Sequence, residues 1–280
     1  MKSAQGRCRL TGKHGRFVKA HIIPKALTSR DVGDTPFAQA GRDYAPIKRW
    51  DSWYDPALVT ADGEKLLTAL DTWALTELRK YKLVWRSWGP MLTLDPSSIV
   101  NIPGTPYGVR IINGVDGRRL RLFLLSVLWR AAGSDLPEFK EVDLSRRNLE
   151  RLRRMVLSLN PDPMNFFPVT LTQLSTLGPV HNLTPIAQEM PLDITRPERT
   201  APIFRFYFDG LIAHFYRKIA AEDLECIDGR QVGKSGALHV VTVTYEASWQ
   251  RDNLDELMRE ASERWPERLD RINGTRQARE

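Results

Sequence analysis

Cysteine is nearly absent: Cys8 and Cys226 are the only two in 280 residues. Two thiols so far apart do not make a disulfide scaffold, and this usage points to a reducing cytoplasm. No run of about 18 uncharged apolar residues occurs, which argues against a helical membrane span. The opening stretch, MKSAQGRCRLTGKHGR, lacks the apolar centre of a secretory leader. No internal repeat and no low-complexity tract is found. One further absence is local: residues 1–30 contain no Asp or Glu.

What is present fits an ordinary globular chain, with 42% hydrophobic and 27% charged residues. The length suffices for one large domain or two intimate ones. The net charge is +7, and its location matters. Lys2, Arg7, Arg9, Lys13, Arg16, Lys19, Lys25 and Arg30 crowd the first thirty residues, so the remainder nearly balances. A concentrated positive field steers polyanions and attracts phosphates. The plainer reading is a solvated basic terminus.

Residues 8–23 read as a short hairpin. Cys8–Leu10 is one arm, Gly12–Gly15 the turn and Phe17–Ile23 the return, stopped by Pro24. Residues 31–53 read as a long surface loop. A helix is expected from Glu64 to Tyr81, where Leu66, Leu67, Leu70, Trp73, Ala74 and Leu78 share a face. Residues 83–113 suggest short strands and loops. Leu120–Ala132 reads as a buried helix, and Ser145 caps another that turns Leu149, Leu152, Met155 and Val156 inward. Pro161, Pro163 and Pro168 form a connector. Phe204–Tyr216 alternates around Asp209-Gly210, a hairpin signal. His239–Tyr245 is a further strand. The closing amphipathic helix places Leu254, Leu257, Met258, Ala261 and Trp265 on one face.

The expected architecture is therefore α+β. It divides into an N-terminal module (1–90), a helical core segment (91–160) and a C-terminal antiparallel sheet with a terminal helix (161–274). A disordered tail is expected over 275–280.

One constellation carries chemistry. Cys8-Arg9-Leu10-Thr11 is followed by Ala20-His21-Ile22-Ile23-Pro24, then by Tyr54-Asp55-Pro56-Ala57-Leu58-Val59-Thr60-Ala61-Asp62-Gly63-Glu64. This resembles HNH endonuclease-like bacterial proteins. Their pattern is C-x2-C, a hairpin bearing H-I-I-P, an Asn or Asp, then L-C-x2-C, a polar residue and a helix. The resemblance covers the first ninety residues and, loosely, residues 120–160 through Leu124–Ala131. It implies a ββα element in which His21 acts as general base on water while a divalent metal polarises the phosphate.

The departures are informative. Four cysteines form the family's structural zinc knuckle. Here Cys8 alone remains, with Thr11, Thr60 and Gly63 in the other places, so no structural zinc is expected. Cys8 then reads as a small buried hydrophobe. Phe17, Leu10, Val59 and Leu66 are the candidates to replace the metal's packing. Ala20 stands where many of these enzymes place a metal-binding residue before the base. The H-N-H triplet reads here as His21, Asp55 and Glu64. Asp55 and Glu64 with His21 would make a donor set for Mg²⁺ or Mn²⁺. Alternatively, His21 is a satisfied hairpin histidine, Asp55 a turn residue before Pro56, and Glu64 an acid favoured by the helix dipole.

The implied function is binding, with or without hydrolysis, of nucleic acid, DNA in preference. Arg9, Lys13, Arg16, Lys19 and Lys25 would hold the phosphate backbone. Trp50, Trp53 and Tyr54 beside Lys48 and Arg49 either stack on bases or cover the core. His14 either touches phosphate or is merely exposed. His181 either joins the site or is polar surface. His214 and His239 read as strand residues packing on cross-strand neighbours. GRQVGKSG at 229–236 lacks the spacing of a phosphate loop. Two rival readings remain: a non-catalytic binding module, and an interaction protein using residues 44–54 or the C-terminal helix to hold a protein partner.

Overall fold

The computed structural model describes residues 4–28, 37–42, 44–49, 52–193 and 196–277. Lys2, Arg30 and Trp50 lie outside them. The chain is α+β, as its patterning implied.

The N-terminal part is built from short ribbons. β1 (Gln5–Arg7) and β2 (His14–Arg16) form an antiparallel pair closed by residues 8–13. The expected hairpin arm at Cys8–Leu10 is thus the turn itself, held by Cys8 N–H donating to Lys13 O (2.9 Å) and Gly12 N–H to Cys8 O (2.9 Å). β3 (Ala20–His21) does not return along this ribbon. After β4 (Phe37–Ala40) and β5 (Ile47–Arg49) comes β6 (Tyr54–Asp55), and β3 pairs with β6. The reason is non-local: Phe17 bridges to Thr60, and Val18 N–H donates to Val59 O, so the chain is drawn beside the segment before the first helix.

That helix, α1 (Ala61–Lys80), starts three residues earlier than its apolar pattern. Leu67, Leu70, Ala74 and Leu78 are buried, whereas Leu66 is 36% exposed and does not fill the core. β7 (Val100–Asn101) and β8 (Tyr107–Asn113) follow. α2 (Gly117–Gly133) is capped by the Asp116 carboxylate and α3 (Arg146–Leu157) by the Ser145 hydroxyl.

Then come β9 (Val169–Leu174), β10 (Asn182–Leu183), β11 (Ile186–Asp193), β12 (Arg196–Phe208), β13 (Leu211–Tyr216), the short α4 (Leu224–Ile227), β14 (Ala237–Val243), α5 (Trp249–Arg264) and α6 (Pro266–Gln277). α6 carries three residues into the expected tail. Residues 278–280 lie outside the described residues. Asp209 (φ 50°) and Gly210 (φ 90°) make the tight turn between β12 and β13.

The main sheet runs β11-β12-β13-β9-β14-β8-β7. It is mixed rather than purely antiparallel, because β14 lies parallel to β9. It also draws in β7 and β8, which fall in the stretch 83–113 expected to hold short strands and loops. Strand alternation gives this sheet two faces. One carries Phe204, Phe206, Phe208, Ala213 and Phe215, which join a single core with α1, α2, α3 and residues of the N-terminal module. That core crosses the Pro-rich connector without a break. The opposite face carries Arg205, Tyr207, Ile212 and His214 and is covered in part by α5. Among the described residues no helix is long and apolar enough to cross a membrane.

Candidate nucleic-acid interface

The β1–β2 ribbon has two unlike faces. Cross-strand pairs Gln5/Arg16 and Arg7/His14 alternate with Gly6/Gly15. Residues directly opposite share a face, so Gln5, Arg7, His14 and Arg16 project together, and all four are exposed. The glycine face lies on the protein. A Cβ on Gly6 would run into the Phe17 ring, and one on Gly15 would meet Thr60 at 3.3 Å. The ribbon therefore lies flat and turns its cations outward.

Arg7, Lys13 and Arg16 form no ion pair among the described residues; Arg7 donates only to Gly12 O (3.0 Å). Arg9 differs from the expectation. It pairs with Asp135 and donates to Gly133 O (2.6 Å), so its charge is offset and it clamps the turn to the end of α2. Lys19 is exposed and stacks over the Tyr54 ring (3.9 Å), and Lys25 is exposed in a 3₁₀ turn. His14 is exposed at the ribbon edge.

α3 extends the basic surface, a feature that reading only its apolar stripe missed. Its sequence holds Arg146, Arg147, Arg151, Arg153 and Arg154 against one acid, Glu150. Arg153 pairs with Glu150 and donates to Leu10 O in the ribbon turn (2.7 Å), so helix and ribbon are joined. Arg146, Arg147 and Arg151 are exposed and form no ion pair among the described residues. The dense arginine run RRNLERLRR was the available signal.

Beneath the ribbon, Cys8, Thr11, Thr60 and Gly63 meet. Thr11 N–H donates to Cys8 Sγ (3.4 Å), and Thr60 also bonds the thiol. A Cβ on Gly63 would sit 2.7 Å from that sulfur. Burial raises the thiol's pKa, but hydrogen bonds from Thr11 and Thr60 outweigh it, leaving the pKa below its ordinary value. The four positions that carry the knuckle cysteines in the resembling family thus converge on one buried point. They offer one thiolate and no space beside Gly63, which does not fit zinc. Leu10 and Val59 are fully buried there.

His21, Asp55 and Glu64 do not form one cluster. In the β3–β6 ribbon Ala20 faces Asp55 and His21 faces Tyr54, so His21 and Asp55 point to opposite sides. Asp55 is buried, accepting from Ala57 N–H (2.7 Å) and the Ser134 hydroxyl (2.9 Å). The His21 ring meets Tyr54 edge-on, and its carbonyl accepts from Arg130 (3.1 Å). Glu64 has a buried Oε2 without a partner. Burial raises its pKa, nearby Arg130 opposes this, and Asp71 reinforces it. Among the described residues no three His, Cys, Asp or Glu side chains are grouped as a metal site would require. Asp55, with both oxygens hydrogen-bonded, and His21 are thus not aimed at one point, as the Mg²⁺ or Mn²⁺ centre that the resemblance implied would need.

Comparison with protein-family models, curated proteins and solved structures found no match. The other candidates are settled by packing. Trp53 is buried and meets Phe139 edge-on at 5.8 Å, which makes it a core residue. His181 is not polar surface. It stacks on Tyr207 (4.4 Å), bonds Pro179 O through Nδ1 and accepts from Gln250 at Nε2 (2.8 Å). His239 bonds Gly229 O.

Proposed function

We propose that this chain is a nucleic-acid-binding protein built on an HNH-like module, with duplex DNA its preferred polymer. The observation that carries the reading is the outward face of the ribbon, where Arg7 and Arg16 project side by side without carboxylate partners. Phosphate recognition needs such unpaired guanidiniums, because each released counterion adds to affinity. α3, joined to the ribbon turn through Arg153, adds further exposed arginines. The meeting of the Cys8–Thr11 turn with the Thr60–Gly63 turn, two segments far apart in sequence, supports the relation to HNH proteins.

Hydrolysis assisted by a metal at Asp55 and Glu64 is not part of this reading. Both Asp55 oxygens are taken, and that side chain points away from His21. On this reading the module serves to present cations.

The test is a titration of fluorescent duplex DNA at several salt concentrations. Three or more phosphate contacts lower affinity by roughly fortyfold or more between about 50 and about 200 mM salt. Affinity insensitive to salt, or absent at low salt, would sink the reading. A stable complex with a protein and none with DNA would favour the interaction role instead.

A further inference from the structure

The second face of the main sheet holds a cavity of about 250 Å³ lined by residues of β12, β13, β14 and α5. Arg205 lines it and is 3% exposed, and among the described residues no carboxylate or carbonyl accepts from it. A guanidinium held in apolar surroundings without an acceptor is costly, and buried cations in folded proteins are ordinarily paired. Directly across in register stands His214, equally buried, with Nδ1 unpartnered. Gln250 Oε1 is a third unpartnered polar atom of the same lining. Among the described residues no Asp or Glu contributes to the walls.

The remaining lining is mostly apolar. Ile212, Val241 and Val243 form the sheet wall, and Trp249, 38% exposed, stands at the rim. Arg230 also lines the cavity, but its guanidinium is committed to Leu192 O (2.6 Å) and Cys226 O (3.1 Å). Burial lowers the Arg205 pKa to about 9, so it stays charged at neutral pH. Burial, then Arg205 and Arg230, push His214 well below its ordinary value, so its ring is neutral and carries one N–H donor.

We propose that this cavity binds a small organic anion, a carboxylate or phosphate head on an apolar body, with Arg205 as the counter-ion and His214 as a donor beside it. The head completes the pairing that Arg205 lacks. The body covers the aliphatic wall and reaches Trp249. The site is separate from the basic ribbon and does not depend on nucleic-acid binding.

The purified full-length protein is titrated calorimetrically with octanoate, octyl phosphate, inorganic phosphate and octanol, alongside thermal melts. Saturable one-site binding with a raised Tm is expected for octanoate or octyl phosphate, and the stronger of the two identifies the head group. Arg205→Met keeps the bulk and removes the charge; it should bind at least about tenfold more weakly while its ligand-free Tm stays level or rises. Trp249→Ala, at the exposed rim, gives a second folded variant with several-fold weaker binding. The proposal is overturned if neither amphiphile saturates, if octanol binds as tightly, if inorganic phosphate equals octyl phosphate, or if folded Arg205→Met binds unchanged.

Discussion

The sulfur of Cys8 lies 2.7 Å from the point where a methyl group on Gly63 would stand. A side chain at position 63 must therefore displace a buried thiol that Thr11 and Thr60 hold in place. Gly63→Ala should destabilise the protein by about 1–3 kcal/mol, the usual cost of overpacking, seen as a lower urea midpoint at unchanged slope. An unaltered midpoint would mean the contact is loose. The same packing predicts clearly less than one zinc per chain by elemental analysis, and a full equivalent would contradict it.

Arg130 is buried in α2 and donates to both oxygens of Asp71 (2.7 and 2.9 Å) and to His21 O. It ties α1 to α2 and fixes the strand that carries His21. Asp71→Asn leaves this cation without its counter-charge, so a loss of about 3–5 kcal/mol is expected. Equilibrium unfolding of the variant measures it, and a loss below about 1 kcal/mol would show that Arg130 finds another acceptor.

Because His21 and Asp55 face opposite sides of their ribbon, metal-dependent cleavage should be absent. Plasmid DNA, single-stranded DNA and RNA incubated with Mg²⁺, Mn²⁺ or EDTA should remain intact. Cutting that needs the metal and is lost in His21→Ala would overturn the non-catalytic account and return attention to Glu64.

Stability should fall with acid through His181. Burial lowers its pKa to about 4 from 6.5. The folded state thus prefers the neutral ring, and the unfolded chain takes up a proton first. The contribution is full above pH 6.5 and is lost as pH falls towards 4, on the order of 3 kcal/mol in all. His214, also lowered by burial, acts in the same direction. Glu64 acts oppositely: burial raises its carboxyl, so its contribution is present below its unfolded value of 4.5 and is lost as pH rises through the folded value. Unfolding free energies at pH 7, 5.5 and 4 should decline in sequence and decline less in His181→Gln. Equal slopes for the two proteins would remove His181 from the account.

Local patterns carried the helices and the long hairpin. α1, α2 and α3 announce themselves by their apolar patterns and α3 also by its capping Ser145, and Asp209-Gly210 marks its own turn. The β3–β6 pairing was not legible, because residues 22–53 separate the two strands and no local signal reports it. The alternation Phe204, Arg205, Phe206, Tyr207, Phe208 reads as a strand with one wet face. The second face is instead covered, and Arg205 and His214 are buried, because α5 packs over it from far along the chain. The meeting of Cys8 with Gly63 has no local signal, since the two stand far apart in sequence. The outward cations of α3 stand in the sequence as a dense arginine run, whereas its apolar stripe reports only the inward face.

The most direct test of the central claim is charge reversal on the ribbon. Arg7→Glu/Arg16→Glu alters two exposed side chains that make no ion pair, so the fold should be retained by circular dichroism and melting. Affinity for duplex DNA should fall by at least about tenfold, and the salt slope should shrink by roughly two contacts. Wild-type affinity and slope in the folded variant would contradict that claim.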